Sequence, residues 1–114
     1  MCRWKVKCMN IIEFKKFIKI LDEKLKDASY DSEKRILARA VKLSEEVGEL
    51  ASDVLSFNSD QRKEKLDTYD ASNLPQEFAD VIITTLLLAE SMGIDVEGGI
   101  ESKMEKIKKR YEIQ

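Results

Sequence analysis

Apolar residues recur at steps of three and four along four segments of the chain, which is the spacing of one face of an α-helix. In the first segment this apolar stripe consists of Ile11, Phe14, Ile18, Leu21 and Leu25. The pattern predicts helices over about residues 11–26, 33–56, 74–92 and 95–111. The polar connection over residues 57–73 predicts no more than one loose helical turn. The sequence therefore predicts an all-α, four-helix bundle.

The third predicted helix is apolar on nearly every side. Between Phe78 and Ala89 the only charged side chain is Asp80. A helix of this kind is buried on all sides, which four short helices in one chain hardly achieve. We therefore expect a second chain to cover it, in a homodimer or in a homotetramer built as a dimer of dimers. A non-catalytic module that dimerises through this helix explains the same stripes and is an alternative.

Length and charge place limits on the class of protein. The 114 residues correspond to one domain, which we place at residues 10–114 after an N-terminal tail of residues 1–9. A net charge of −2 gives no reason to expect nucleic acid or an anionic membrane as a partner. No apolar stretch approaches the roughly 20 residues of a membrane span, and no secretory signal is visible. These features favour a cytoplasmic protein.

The residue types that are rare or missing limit the kinds of catalytic and metal site that the chain can form. The sequence has no histidine, which excludes Ser-His-Asp triads, HExxH zinc sites and Glu-x-x-His di-iron sites. Cys2 and Cys8 lack CxxC spacing and form a poor metal set. We expect them to be reduced thiols, with a disulfide between subunits as the alternative. Carboxylates and cations are then the main candidates for a functional site.

Two acidic pairs lie on neighbouring predicted helices. Glu46 and Glu49 share one face of the second helix, and Glu77 and Asp80 share one face of the third. Asp80 is expected to be buried, where an unpaired carboxylate costs several kcal/mol. Gly48 stands between the first pair, where glycine usually marks the close approach of a backbone or ligand. If the two faces meet, an all-oxygen site selects a hard cation, which we predict to be Mg²⁺ with Mn²⁺ as a possible substitute.

Each of these features also has an ordinary structural explanation. Glu46 and Glu49 suit a solvated helix face, and Asp80 suits a buried ion pair with a lysine or arginine. The fourth helix carries Lys103, Lys106 and Arg110, which are candidates for contacts with phosphate oxygens. In a solvated C-terminal helix, the same cations suit the negative end of the helix dipole.

Two acidic motifs resemble those of a known family. Residues 43–51 read LSEEVGELA and resemble the EExGEL signature of the MazG-like, all-α nucleoside triphosphate pyrophosphohydrolases. Residues 77–80 read EFAD and are similar to the second motif of that family, ExxD. Residues 89–95, followed by Lys103 and by residues 109–111, resemble its closing segment. The resemblance implies a four-helix subunit that assembles as a dimer or a dimer of dimers.

The resemblance also implies an activity, which is the Mg²⁺-dependent cleavage of a (deoxy)nucleoside triphosphate to the monophosphate and pyrophosphate. We expect a role in nucleotide-pool house-cleaning with a preference for deoxynucleotides. The all-α dUTP hydrolases and the phosphoribosyl-ATP pyrophosphohydrolases of the same superfamily are alternatives. Ile107 stands where many relatives have an asparagine, so the chain departs from the family at one contact with phosphate or sugar.

Residue roles are carried over from the family by position. The implied metal ligands are Glu46, Glu49, Glu77 and Asp80. The implied phosphate contacts are Lys103 and Arg110, to which we add Lys106 from the same basic helix. Glu45 is the candidate to accept a proton from the attacking water, and the alternative is whichever of Glu46 and Glu49 a bound ion leaves free.

Overall fold

A computed structural model describes residues 8–114 of the chain, and this part contains helices and no strand. The α-helices are α1 (Ile11–Lys24), α2 (Ser32–Phe57), α3 (Lys63–Thr68), α4 (Leu74–Met92) and α5 (Val96–Tyr111). The predicted all-α class is confirmed. The connection between α2 and α4 is more ordered than the sequence indicates, since it contains α3 and a 3-10 turn (Ala71–Asn73). Of the predicted tail, residues 1–7 lie outside the described part.

Short polar side chains fix where the helices begin. The Asn10 side chain accepts hydrogen bonds from the N–H groups of the first turn of α1, at 2.8 and 3.4 Å. Asp31 caps α2 in the same way at 2.8 Å, and Asp95 caps α5 at 3.1 Å. Each cap satisfies a backbone donor that has no partner inside its helix. Gly93 ends α4 in the left-handed conformation with φ of 67°, which glycine adopts without steric cost.

Helix α4 is the centre of the fold, because it packs along α2 and against α1. Ile18 of α1 and Leu87 of α4 are the buried hydrophobic residues of the described chain. A buried ion pair joins the same three helices. Arg39 of α2 donates to the Asp22 carboxylate of α1 at 2.6 Å and to the Leu87 carbonyl of α4 at 2.9 Å.

A single chain leaves much of its apolar surface exposed. Phe78 and Ile82 of α4 are 49% and 54% exposed, so the expectation that this helix is covered on all sides is not met within one chain. Helix α5 packs only loosely, and an open apolar groove of about 490 Å³ separates it from α1 and α4. The radius of gyration is 17.4 Å, against about 13 Å for a compact domain of this size.

Two smaller expectations concern the cysteines and the membrane. Cys8 is disulfide-bonded, so the expectation of a reduced thiol is wrong for this residue. Spacing in the sequence does not reveal whether two cysteines come within bonding range, which requires Cβ atoms about 3.8 Å apart. The other cysteine lies outside the described residues.

No helix within residues 8–114 is both long and apolar enough to cross a membrane.

Candidate active site

Three carboxylates from α2 and α4 converge where the two helices pack together. Glu46, Glu77 and Asp80 each place one oxygen within 4.8 Å of the other two. Glu46 is buried at 9% exposure, Glu77 is half-buried and Asp80 is exposed. We refer to these three residues as the acidic cluster.

The acidic cluster contains polar atoms that the protein does not satisfy. Glu46 Oε2 and Glu77 Oε2 are buried without a hydrogen-bond partner. The only ion pair of Glu46 in the described chain is with Lys42, whose Nζ lies 3.4 Å from Glu46 Oε1. Buried carboxylate oxygens without a partner are costly, so this arrangement favours a bound cation.

The pKa of the Glu77 carboxyl group is raised by burial and by the negative charges around it. Burial is the main cause that raises the pKa of its carboxyl group, and the negative charge of Asp53 is the next. Asp80, Glu49 and Glu46 raise the same pKa further. The site therefore concentrates negative charge around one half-buried carboxylate, which a divalent cation would relieve.

A cleft of about 490 Å³ opens beside the acidic cluster and shares Glu77 with it. The cleft is lined by Glu45, Gly48, Glu49, Ser52 and Asp53 of α2, by Lys65 of α3 and by Glu77 of α4. Glu49 is exposed and lies in this cleft, outside the three-oxygen group. The space beside Gly48 is open, because an added Cβ would meet no atom within 4 Å. No backbone of the described chain approaches Gly48, and the approach of a ligand through the cleft that Gly48 lines stays a prediction.

Several predicted site residues lie outside the cleft or are more exposed than the sequence predicts. The expectation that Asp80 is buried is wrong for one chain, because α1 and α2 cover only part of α4 and leave Asp80 exposed. Lys103, Lys106 and Arg110 are exposed on α5 and do not line the cleft. Glu45 does line it, and its carboxylate is 3.2 Å from Lys42 Nζ.

Three residues of the cleft had no predicted role in the site, namely Ser52, Asp53 and Lys65. Asp53 follows Glu49 by four residues on the same face of α2, and this spacing is the signal that could have identified it. Lys65 belongs to the polar connection, where no periodic pattern points to a site. Its position depends on how α3 folds against α2.

The donor set of the site fits a hard divalent cation. All candidate ligands are carboxylate oxygens, which Mg²⁺, Mn²⁺ and Ca²⁺ prefer over softer ligands. Two of these oxygens, Glu46 Oε2 and Glu77 Oε2, are buried and have no hydrogen-bond partner in the protein. The acidic cluster is thus suited to bind a metal ion beside a cleft that is open to a substrate.

Comparison with protein families agrees with this geometry. Residues 34–113 match the model of the MazG nucleotide pyrophosphohydrolase domain. No curated protein and no solved structure gives a significant match to the chain. The matched region contains α3 to α5 and all of α2 except its first two residues, and it includes every carboxylate of the site. The chain therefore belongs to the MazG nucleotide pyrophosphohydrolase domain family.

Proposed function

We propose that the protein is a Mg²⁺-dependent hydrolase that cleaves (deoxy)nucleoside triphosphates to the monophosphate and pyrophosphate. The observation that supports this most directly is the pair of buried, unpartnered oxygens on Glu46 and Glu77, next to Asp80. Within the family, such a site serves nucleotide-pool house-cleaning, for which we propose a preference for deoxynucleotides. We further propose that the protein acts in the cytoplasm.

Each residue of the site has a proposed role in this reaction. Glu46, Glu77 and Asp80 would hold the ion, and Glu49 would complete the set from the adjoining cleft. When bound, Mg²⁺ (or Mn²⁺ as a substitute) neutralises phosphate charge and lowers the pKa of a bound water. Glu45 faces the cleft and is our candidate to accept a proton from that water, with Glu46 and Glu49 as alternatives.

Phosphate contacts by Lys103, Lys106 and Arg110 form a further part of the proposal. None of these side chains lines the cleft of its own chain. A second copy of the protein would therefore have to bring the basic face of its α5 to the site. The exposed apolar residues of α5, such as Ile100 and Met104, give this helix a surface for such a contact.

Assembly of the protein is the first testable prediction. Because one chain leaves α4 and the groove beside α5 uncovered, we expect a homodimer or a homotetramer at micromolar concentration. Light scattering coupled to size-exclusion chromatography measures this directly. A species of 13.2 kDa, the mass of one chain, would contradict the prediction.

The activity is tested with a panel of eight common ribo- and deoxynucleoside triphosphates in Mg²⁺, with products identified by ³¹P NMR. We expect a nucleoside monophosphate and pyrophosphate, and no product in EDTA. Release of orthophosphate would indicate a different phosphatase chemistry. Turnover of dUTP alone, added as a ninth compound, would identify a dUTP hydrolase, and turnover of phosphoribosyl-ATP alone, added as a tenth, would identify the other alternative.

A non-catalytic interaction module is the second candidate function. The exposed apolar surface of α4 favours it, since helix association needs no ligand. Failure of every nucleotide in the panel, together with a dimer in light scattering, would support this module over the enzyme.

A further inference from the structure

The connection between α2 and α4 forms one wall of the cleft and brings a cation to it. Helix α3 is attached to α2 through the hydroxyl of Ser52. Ser52 Oγ accepts hydrogen bonds from Gln61 Nε2 and from Lys65 Nζ, both at 3.2 Å. The second contact holds the Lys65 ammonium beside α2 at the cleft, which Glu45, Glu49, Asp53 and Glu77 also line.

Lys65 differs from the other cation near the site in its partners. Lys42 is paired with the carboxylates of Glu45 and Glu46, at 3.2 and 3.4 Å. No carboxylate of residues 8–114 lies within 4.0 Å of the Lys65 ammonium, although four carboxylates line the same cleft. An ammonium group has three donors, and Ser52 uses one of them. Among the residues that line the cleft, Lys65 is the one cation.

We propose that Lys65 binds a phosphate oxygen of the ligand that occupies this cleft, with Ser52 and Gln61 as its positioning residues. The inference rests on the proposed function, because the phosphate is taken to be that of the nucleoside triphosphate or of the pyrophosphate product. A metal ion on the acidic cluster covers only some of the phosphate oxygens. A lysine held at the cleft by a neutral hydroxyl supplies positive charge to the others.

The competing explanation is that Lys65 only balances the negative charge of the cleft. In that case removal of Lys65 would lower the stability of the metal-free protein, where the carboxylates repel each other most strongly. Once Mg²⁺ is bound, the affinity for phosphate groups would not depend on Lys65. The two explanations therefore differ in what happens to anion binding at saturating Mg²⁺.

Titration calorimetry with inorganic pyrophosphate at saturating Mg²⁺ separates them, because this probe requires no knowledge of the base. We expect Lys65→Gln to raise the dissociation constant about tenfold or more, as for loss of a charged hydrogen bond. Lys63→Gln is the matched control, since it removes the same charge from an exposed position of the same helix that does not line the cleft. It should change the constant less than twofold, and Lys65→Arg should restore most of the affinity.

Each outcome decides one proposal. An unchanged dissociation constant for Lys65→Gln, or an equal loss in both glutamine variants, would overturn the role of Lys65. Absence of pyrophosphate binding to the wild type would also overturn it. If wild type binds pyrophosphate through Lys65 but hydrolyses no nucleotide, the proposed hydrolase activity fails while the phosphate contact stands. Glutamine retains a donor for Ser52, and equal melting temperatures of the three variants in EDTA would show that α3 remains in place.

Discussion

Replacing Glu77 by glutamine is expected to lower Mg²⁺-dependent hydrolysis by at least about a hundredfold, since even residues that only support metal ligands have effects of that size. The same change should raise the melting temperature of the metal-free protein. Glutamine has nearly the same shape and removes one of the charges that repel one another around Glu46 and Asp80. Activity assays with Mg²⁺ and thermal melts in EDTA measure the two effects on the same samples.

The stability gain of this variant should depend on pH in a defined direction. In the metal-free folded protein the pKa of Glu77 is raised above its ordinary value of 4.5, mainly by burial and then by Asp53. Between these two values the folded state binds more protons than the unfolded state, so its stability falls as the pH rises. The advantage of Glu77→Gln should therefore be largest near neutral pH and shrink as the pH approaches 4.5, in urea titrations with EDTA.

The metal response provides the control for this prediction. Wild type should gain about 2.7 kcal/mol at a hundredfold excess of Mg²⁺ over its dissociation constant. Both Glu77→Gln and Glu49→Gln should lose most of this gain, and Glu49→Gln should melt in EDTA at the wild-type temperature or above. Glu64→Gln removes a carboxylate from exposed α3 and should change neither property. A Glu77 variant that is less stable in EDTA and keeps its Mg²⁺ response would identify Glu77 as a structural partner.

Local signals in the sequence were sufficient to predict most of the helices. The periodic apolar stripe predicts a helix from about residue 11, and α1 begins at Ile11 with Asn10 as its cap. The helix predicted over residues 74–92 ends at Met92, where Gly93 follows in a left-handed conformation. These features depend on residues within a few positions of one another, so a single sequence contains the required information.

Features that depend on contacts between distant segments were less predictable. Helix α3 has six residues and no apolar stripe, so nothing in its sequence indicates that Lys65 reaches Ser52. The predicted burial of Asp80 assumed that an apolar helix is covered on all sides. In one chain it is not, because α1 and α2 cover only part of α4. How the carboxylates meet likewise depends on the register of α2 against α4, which periodicity does not specify.

The ion pair between Arg39 and Asp22 is expected to have the largest effect on stability of any single contact outside the site. Both side chains are nearly buried, at 11% and 10% exposure, and their atoms Nη1 and Oδ1 are 2.6 Å apart. Replacing Arg39 by methionine leaves the buried Asp22 carboxylate with only the more distant Lys26 as a cationic partner. Loss of one partner of a buried pair typically costs about 3–5 kcal/mol. We expect a loss of that size in urea denaturation at a fixed protein concentration.

The double variant Arg39→Met with Asp22→Leu tests whether the loss of stability comes from the buried Asp22 carboxylate that no longer has its arginine partner. Replacing both partners by apolar side chains is often neutral, so the double variant should recover most of the stability that the single variant loses. Lys26→Met is the control, because Lys26 approaches the same carboxylate at 3.8 Å but is 39% exposed. Exposed pairs contribute no more than about 1 kcal/mol. If Arg39→Met and Lys26→Met cost the same, the pair between α1 and α2 does not hold the three helices together.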